Sequence, residues 1–384
     1  MATYHICVKK ASMRIPLPVH LLVLCSVSCC SLLGETLHID LRQRGYLPPP
    51  RQYRKGYETI GALLTGMRRY LDFDAQDDAV AGFVIRNAQN QLSTLDSPAL
   101  TWHAVRFDQG GRYLSETTVP TRSWNDNGLF SGDEETLLLR TGNDLALFSA
   151  NGGLVGRRII PKDHWIRILP SRRAFVLSWT WGGRIEVVDM RTLVTVSECG
   201  SNDKNLTDSV LSVSDNCSMT YGPSLSGDTH VQQIRVNQRC GPLEYAFDTT
   251  RGSRDFSSSL LDDRTVMSPG TGWVVVQDRG VERWRDSSYS KNELVRGDIR
   301  MDLRGTVVAV LAERFTGGSR LLDLDGHINK VRIIVYRVLD GKRLAEVPIA
   351  PLPLSVFDFA ISGDGKRLGV LSDGDLAIFS IPAA

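Results

Sequence analysis

The amino-acid sequence predicts an all-β fold built from repeated four-stranded units. Three observations support this prediction: a motif that recurs along the chain, strands whose apolar residues follow a period of two, and evenly spread turn residues. The 34 glycines and 16 prolines among 384 residues are scattered as turn punctuation, which favours many short strands over long helices. A hydrophobic content of 42% provides ample material for a core.

Positive and negative charges nearly balance in this chain. The 45 Lys and Arg residues oppose 43 Asp and Glu residues, which leaves a formal net charge of +2. Such a chain has no long-range field that would attract nucleic acid or an anionic membrane surface. We therefore expect no nucleic-acid partner.

One motif of about twenty residues recurs without a gap. Residues 130–149 and 361–380 share nine identities, among them a Ser-Gly-Asp turn and an Asp-Leu-Ala run. Residues 298–311 overlay 358–371, and a weaker copy covers 166–178. Each copy predicts a strand, a tight polar turn, a second strand, a short turn and a third strand.

Local patterns within the copies support the same interpretation. Gly305 and Gly365 occupy the turns of two copies, where we expect them to supply the positive φ that such turns need. Alternation in Arg184–Val187 and Val331–Ile333 predicts half-buried strands. The continuous apolar run Trp273–Val276 instead predicts a strand that is buried on both faces.

The third strand of each unit can be followed along the chain. Seven such strands are predicted, at Trp102–Asp108, Asp144–Ser149, Arg184–Met190, His230–Val236, Val281–Ser287, Lys330–Arg337 and Asp375–Ile381. A four-stranded unit of about 45 residues, repeated seven times, predicts a single seven-bladed β-propeller over residues 35–384.

The two ends of the chain support closure of such a ring. The last unit, Val356–Ile381, supplies only three strands, while Thr36–Leu41 is an isolated strand. We expect this N-terminal strand to close the last blade, which removes an exposed sheet edge. A β-sandwich followed by a second domain is the alternative fold, and it does not explain the gapless repeats.

The turn at 362–366, Ser-Gly-Asp-Gly-Lys, is followed by Leu368 and by Val-Leu-Ser at 370–372. This segment resembles the turn of bacterial WD40-like and TolB-type β-propellers, in which proline usually occupies the place of Gly363. Over about residues 35–382 the chain is also similar to uncharacterised secreted propeller proteins of soil bacteria. The resemblance implies a fold rather than an activity, because propellers host unrelated functions on one scaffold.

Residues 1–34 predict a cleaved secretory signal peptide. Basic residues Lys9, Lys10 and Arg14 precede an apolar run at 15–33, which is the order of such a signal. Translation from Met13 would give a more compact leader. A retained membrane anchor and a buried strand or helix are the alternatives. We expect a secreted or periplasmic monomer without a membrane span after leader cleavage.

Four of the seven cysteines fall within the leader. One of them, Cys29, follows small residues and is a candidate for lipidation, so a lipid-anchored protein is the alternative location. We predict that Cys217 and Cys240 form a disulfide, because each follows a predicted strand of the same unit and both fall on one rim. A Cys199–Cys217 pair and the absence of any bridge stay open.

The longest connections predict a binding surface. Segments 86–101 and 312–329 exceed ordinary hairpin length, and loops of that kind carry binding groups in propellers. The candidate binding residues on the same face are Arg122, Trp124, Asp163, His164, Trp181, Asp278, Arg279 and Arg314. The competing interpretation is that the tryptophans cover the blade ends and the charges are solvated.

No catalytic motif is found in the sequence. It has no Gly-x-Ser-x-Gly elbow, phosphate loop or His-Glu-x-x-His segment, and we predict neither a metal nor a cofactor. The leading hypothesis is a non-catalytic exported propeller that binds a protein, peptide or glycan. One alternative is a propeller-type lactonase, lyase or quinoprotein-like oxidoreductase, with carboxylates or histidines converging at the central channel. A cell-surface structural protein is the third possibility.

Overall fold

The computed structural model describes much of the chain between residues 36 and 383. The described segments are 36–46, 70–74, 76–86, 100–121, 127–131, 136–141, 143–149, 153–160, 164–169, 174–179, 185–199, 209–213, 218–222, 233–238, 243–248, 259–270, 272–295, 299–316, 327–353 and 357–383. All of them belong to one unit, Leu33–Ala384. The predicted leader at 1–34 lies outside the described residues.

Within these segments 29 strands form seven antiparallel sheets, numbered I to VII. The chain begins with β1 (Thr36–Asp40). Sheet I contains β2 (Leu71–Phe73), β3 (Ala79–Arg86), β4 (Leu100–Phe107) and β5 (Tyr113–Thr121); sheet II contains β6 (Asn127–Ser131), β7 (Thr136–Thr141), β8 (Asp144–Ser149) and β9 (Leu154–Ile159). Sheet III contains β10 (His164–Ile168), β11 (Ala174–Trp179), β12 (Ile185–Asp189) and β13 (Thr195–Cys199).

The remaining sheets follow in chain order. Sheet IV contains β14 (Ser209–Val213), β15 (Ser218–Gly222), β16 (Gln233–Gln238) and β17 (Leu243–Asp248); sheet V contains β18 (Ser259–Leu260), β19 (Thr265–Gly270), β20 (Trp273–Asp278) and β21 (Val281–Asp286). Sheet VI contains β22 (Glu293–Val295), β23 (Arg300–Met301), β24 (Val307–Thr316), β25 (His327–Arg337) and β26 (Arg343–Ile349). Sheet VII contains β27 (Phe357–Ile361), β28 (Arg367–Ser372), β29 (Asp375–Ser380) and β1.

The strand order gives each sheet two rims. The turn rim is the rim that carries the connections between the first and second strands and between the third and fourth strands, such as 362–366 and 279–280. The loop rim carries second-to-third strand connections, such as 373–374, and the links between sheets. In sheet VI the first position is shared, since β22 and β23 both pair with β24.

The repeated motif forms the predicted strands. Its two best copies fall on β6–β8 and β27–β29. Gly305 and Gly365 adopt φ of 66° and 74°, as predicted. A side-chain acceptor then holds each turn: Asp302 Oδ1 accepts from the backbone N–H of Val307 at 2.8 Å, and Ser362 Oγ accepts from that of Arg367 at 2.9 Å.

Apolar residues on both faces of the sheets join neighbouring sheets. In β24, Val307, Ala309 and Leu311 pack towards β27 and β28 of sheet VII. The intervening Val308, Val310 and Ala312 pack towards sheet V. Trp273–Val276 also behaves as predicted, with Val274, Val275 and Val276 fully buried. Because β24 buries both faces, the packing of sheet VI depends on both of its neighbours.

Contacts connect every sheet to the next. Apolar clusters join sheet VII to I and I to II, II to III, V to VI and VI to VII. Sheet IV contacts both its neighbours, since β14 touches β10 and β11 on one side and β18 on the other.

The N-terminal and C-terminal parts of the described chain are tied together in two ways. As predicted, β1 pairs with β29, in a register that places Thr36 opposite Phe379. In addition, the buried Asp358 carboxylate of β27 accepts from the backbone N–H groups of Tyr70 and Leu71, at 2.8 and 3.0 Å. Arg300 of β23 donates to the same carboxylate at 3.3 Å. Asp358 therefore joins sheets VI, VII and I.

The predicted strand order of sheet V was wrong by one position. We predicted Val281–Ser287 as its third strand, whereas β20 is the third strand and β21 is the fourth. The first strand, β18, has only two residues, too few to show a strand pattern in the sequence. Missing it moved every later strand of this unit by one.

We expect the Asp358→Ala variant to lose about 3–5 kcal/mol of unfolding free energy, because Arg300 becomes a buried charge without its carboxylate and two buried N–H groups lose their acceptor. Urea unfolding at neutral pH measures this loss. The matched control is Glu282→Ala, which removes an exposed partner of Arg285 and should cost less than about 1 kcal/mol. Equal losses in the two variants would show that Asp358 does not support the contact between the end sheets.

Candidate functional site

Most of the predicted site residues fall outside the described residues. These are Arg122, Trp124, Asp163, Trp181, Cys217 and Cys240, which stay predictions. His164 is the first residue of β10, and its backbone alone is described. The structure therefore describes the surroundings of three of the predicted residues: Asp278, Arg279 and Arg314.

Asp278 and Arg279 do not lie on the predicted face. They connect β20 to β21, the third and fourth strands of sheet V, and so belong to the turn rim. The missed strand β18 explains this error. The carboxylate of Asp278 is already paired within sheet V, because it contacts Arg283 at 2.6 Å and Arg264 at 3.7 Å. We withdraw these two residues from the loop-rim surface.

Arg314 lies where the sequence predicted it, near the loop-rim end of β24. Its side chain is exposed. In the register of sheet VI it lies opposite Glu293 of β22 on one side and Lys330 of β25 on the other. The three side chains therefore share one face of the sheet, because directly paired residues point the same way.

The carboxylate of Glu293 is already engaged by another residue. Arg332 Nε and Nη2 donate to its two oxygens, at 2.5 and 2.8 Å, and the backbone N–H of Ser290 donates at 3.2 Å. Arg332 Nη1 also donates to Glu346 at 2.8 Å. Burial alone would lower the pKa of Arg332, but the hydrogen bonds with the two carboxylates raise it above its ordinary value. Arg332 is therefore a permanently charged, doubly paired cation.

A buried tyrosine lies beside this ion pair, between sheets V and VI. The guanidinium carbons of Arg332 and Arg343 lie 5.3 and 5.1 Å from the ring centroid of Tyr289, within cation–π range. Tyr336 donates its hydroxyl proton to Asp286 at 2.6 Å. Tyr289 is therefore the donor in its hydrogen bond with the Tyr336 hydroxyl. Burial raises the pKa of both tyrosines.

Asp286 accepts three hydrogen bonds in this group, from Ser288, Tyr336 and Arg343. Burial alone would raise its pKa, but donors from Tyr336, Ser288 and Arg343 outweigh that effect and lower the pKa to about 2. The ionised carboxylate thus connects the end of β21 to strands β25 and β26. We call these residues the V–VI network: Asp286, Tyr289, Glu293, Arg332, Tyr336, Arg343 and Glu346.

The sequence interpretation missed the V–VI network. We read Val331–Ile333 as part of a half-buried strand, which would expose Arg332, whereas Arg332 is only 9% exposed. The side chain is buried because its carboxylate partners come from other strands, β22 and β26. The available signal was weak: an arginine and a tyrosine at alternating positions of an otherwise apolar strand.

The connection between β21 and β22 brings a third exposed cation to this end of sheet VI. Lys291 precedes Asn292, whose carbonyl accepts from the backbone N–H of Phe315 at 3.0 Å. Lys291 therefore lies beside the segment that carries Arg314. In the described part of the chain, the side chains of Lys291, Arg314 and Lys330 make no ion pair. We call these three residues the cation patch.

Carboxylates or histidines that converge at the central channel were the expected sign of an enzyme. Asp72 of β2 and Asp358 of β27 are both buried. Each accepts from the N–H of the residue that follows it, at 3.0 and 2.8 Å. Among the residues that the structure describes, no three His, Cys, Asp or Glu side chains are grouped so as to hold a metal ion.

Comparisons with known proteins bear on the fold. No protein-family model matches the sequence, and no curated protein matches it. The structure is similar to a chain in the crystal structure of the mitotic checkpoint complex, with a TM-score of 0.52 and 11% identity over 100% of both chains. It is also similar to the Pan2 WD40 domain of Neurospora crassa, with a TM-score of 0.50 and 10% identity over 90% of this chain and 94% of that one. These likenesses indicate a WD40-like β-propeller and concern the fold alone.

Within the described residues, no helix has the length and apolar character needed to cross a membrane.

We expect Asp286→Asn to lower the unfolding free energy by about 2 kcal/mol at pH 7, from the depressed pKa of Asp286. The carboxyl group has a pKa near 4 in the unfolded chain and a lower pKa in the folded chain. Its ionised form therefore stabilises the fold above about pH 4, and that stability is lost as the pH falls through about 2. The difference between wild type and variant should therefore shrink below pH 4. Urea unfolding at pH 7, 5 and 3 measures it.

The control for this prediction is Asp340→Asn. The pKa of Asp340 is also lowered to about 2, through Arg337, but water screens this exposed pair. We expect the control to be nearly as stable as wild type at every pH. A pH-independent difference for Asp286→Asn would contradict the role given to the ionised carboxylate.

Proposed function

We propose that this chain is an exported, non-catalytic, seven-bladed β-propeller that acts as an interaction scaffold. In this proposal the loop rim binds a protein, peptide or glycan. Residues 1–34 would act as the signal peptide and residues 35–384 as the propeller. The mature protein would be a secreted or periplasmic monomer of bacterial origin.

The seven-bladed arrangement is supported by the order of the contacts. Seven sheets follow one another in the described segments, each touches the next, and sheet VII touches sheet I. A ring is the arrangement in which the last sheet meets the first while every sheet keeps two neighbours. The pairing of β1 with β29 then completes the four strands of the seventh blade.

The difference between the two rims carries the functional proposal. On the turn rim, described connections are short, and their own aspartate or serine side chains satisfy their backbone, as in the Asp302 and Ser362 turns. At the loop rim, β24 and β25 are the longest paired strands of sheet VI and carry exposed cations at their ends. Exposed groups held on a rigid scaffold are typical of binding surfaces.

A Cys217–Cys240 disulfide belongs to the proposal for an exported chain. The register of sheet IV places Ser218, next to Cys217, opposite Gln238, two residues before Cys240. A bridge needs Cα atoms about 4.4–6.8 Å apart, and the pairing of these flanking residues supports the proposed bridge. Cys199 instead ends β13 in sheet III.

Peptide mapping under non-reducing conditions tests the disulfide. Trypsin separates the three cysteines into peptides 192–204, 205–235 and 240–251. We expect peptides 205–235 and 240–251 to be linked, in wild type and in the control Cys199→Ser, and the link to be lost in Cys217→Ser. A link between 192–204 and 205–235, or three free thiols in the exported protein, would contradict the proposal.

Thermal unfolding against a panel of peptides and glycans tests the scaffold function. A ligand that binds only the folded chain raises the Tm. At a concentration of a hundred times its Kd it adds about 2.7 kcal/mol to the unfolding free energy. We expect at least one such ligand, and we expect Arg314→Ala to reduce its effect. The opposite-rim control Arg279→Ala should keep it. A ligand whose shift depends on Arg279 and not on Arg314 would place binding on the turn rim, against the proposal.

A further inference from the structure

Among the described residues, the charges around the cation patch do not balance. On the face of sheet VI that packs towards sheet V, the described basic residues are Arg314, Lys330, Arg332 and Arg343. The acidic residues that contact or oppose them are Asp286, Glu293 and Glu346. Four cations thus face three anions, and Lys291 adds a further positive charge beside them. The excess collects at the loop rim.

The unmatched charge belongs to Arg314 and Lys330. Glu293 lies opposite Arg314 in the register, but both of its oxygens accept from Arg332, which is only 9% exposed. Asp286 and Glu346 are likewise paired with Arg343 and Arg332. Arg314 and Lys330 are left as like charges directly opposite each other, an arrangement that destabilises an antiparallel pair. A bound anion would relieve this repulsion.

The patch is held on a rigid base. Lys330 and Arg314 are paired residues of two strands, and Arg332, one position further along the same face, is fixed by two carboxylates. The Asn292 carbonyl binds the Phe315 N–H and keeps the segment of Lys291 beside β24. A ligand would therefore find the cations already positioned and would lose less entropy on binding.

We infer that the cation patch of Lys291, Arg314 and Lys330 binds an acidic, extended peptide segment of a partner protein. This inference rests on the scaffold function proposed above and names its ligand class. Residues i and i+2 of an extended peptide point the same way about 7 Å apart, while opposite side chains of a strand pair lie about 5 Å apart at Cβ. The long Arg and Lys side chains span that difference, so two alternate carboxylates can each meet one cation.

The same charges argue against nucleic acid as the ligand. Nucleic-acid surfaces are broadly basic, whereas this chain has a net charge of +2 and only three cations in the patch. A short acidic segment matches a charge of that size. Charge-assisted hydrogen bonds from a guanidinium or an ammonium group to carboxylates give the interaction its strength.

Fluorescence anisotropy with a labelled peptide of alternating Glu and Thr tests the inference. The protein is the exported chain without its leader, and peptides of alternating Gln and Thr or Lys and Thr are the comparison probes. We expect the Glu peptide alone to bind. Its affinity should fall several-fold when NaCl is raised from about 50 to 300 mM, because salt screens exposed charges.

Two double variants locate the site. Arg314→Glu with Lys330→Glu should weaken binding of the Glu peptide at least ten-fold. The matched control, Arg279→Glu with Lys342→Glu, reverses two exposed cations on the turn rim of the same two sheets and should bind within two-fold of wild type. The neutral pair Arg314→Gln with Lys330→Gln should lose affinity to an intermediate extent, and a Tm measurement confirms that each variant is folded.

Three results would overturn the inference: no binding of the Glu peptide, equal weakening in both charge-reversed variants, or a response to heparin alone that depends on Arg314 and Lys330. The last result would identify a polyanion site rather than a peptide site. The scaffold proposal fails separately. If a neutral peptide from the thermal panel binds and the Glu peptide does not, the scaffold stands and the acidic ligand class is wrong. If no ligand depends on the loop rim, both are wrong.

Discussion

The junction between the first and last sheets is the constraint on which the rest of the structure depends. Sheet VII is composite: three of its strands come from the C-terminal segment, and β1 comes from the N-terminal one. Asp358 adds a second tie, since its carboxylate binds backbone groups 288 residues earlier in the chain. The entropic cost of closing a loop grows slowly with its length. A few buried contacts therefore suffice to hold the two ends together.

The stacking of the sheets follows from strands that bury both faces. In β24, odd-numbered residues pack towards sheet VII and even-numbered residues towards sheet V. A sheet of this kind has no solvent face and is stable only between two neighbours, which is the energetic logic of repeat architectures. In an open array the terminal sheets would each leave an apolar face in water. The contact of sheet VII with sheet I removes both of those faces at once.

The repeats made most of this fold predictable, and the failures have identifiable causes. The Ser-Gly-Asp turn at 362–364, the positive φ at Gly365 and the pairing of Thr36–Asp40 with β29 could all be predicted from local patterns, because turn chemistry and strand alternation are local properties. Strand β18 escaped detection because two residues carry no periodicity. Arg332 escaped because its burial depends on Glu293 and Glu346, whose proximity only the three-dimensional register creates. Arg314 was placed correctly, but Lys330, its cross-strand partner, was not recognised as part of the same surface.

The location of the unmatched cations follows from the cost of burying charge. Inside the sheet V–VI interface the described cations Arg332 and Arg343 are paired with carboxylates, because an unpaired charge there would cost several kcal/mol. At the loop rim, water solvates Arg314 and Lys330, so the protein tolerates two adjacent cations that it could not hold a few residues deeper. The V–VI network, in which Arg332 pairs with Glu293, therefore has two effects. It holds sheets V and VI together, and it leaves Glu293 unable to neutralise the cations at the loop rim. Arg332 thus stabilises the interface and, by pairing with Glu293, leaves the charge of Arg314 without a partner among the described residues.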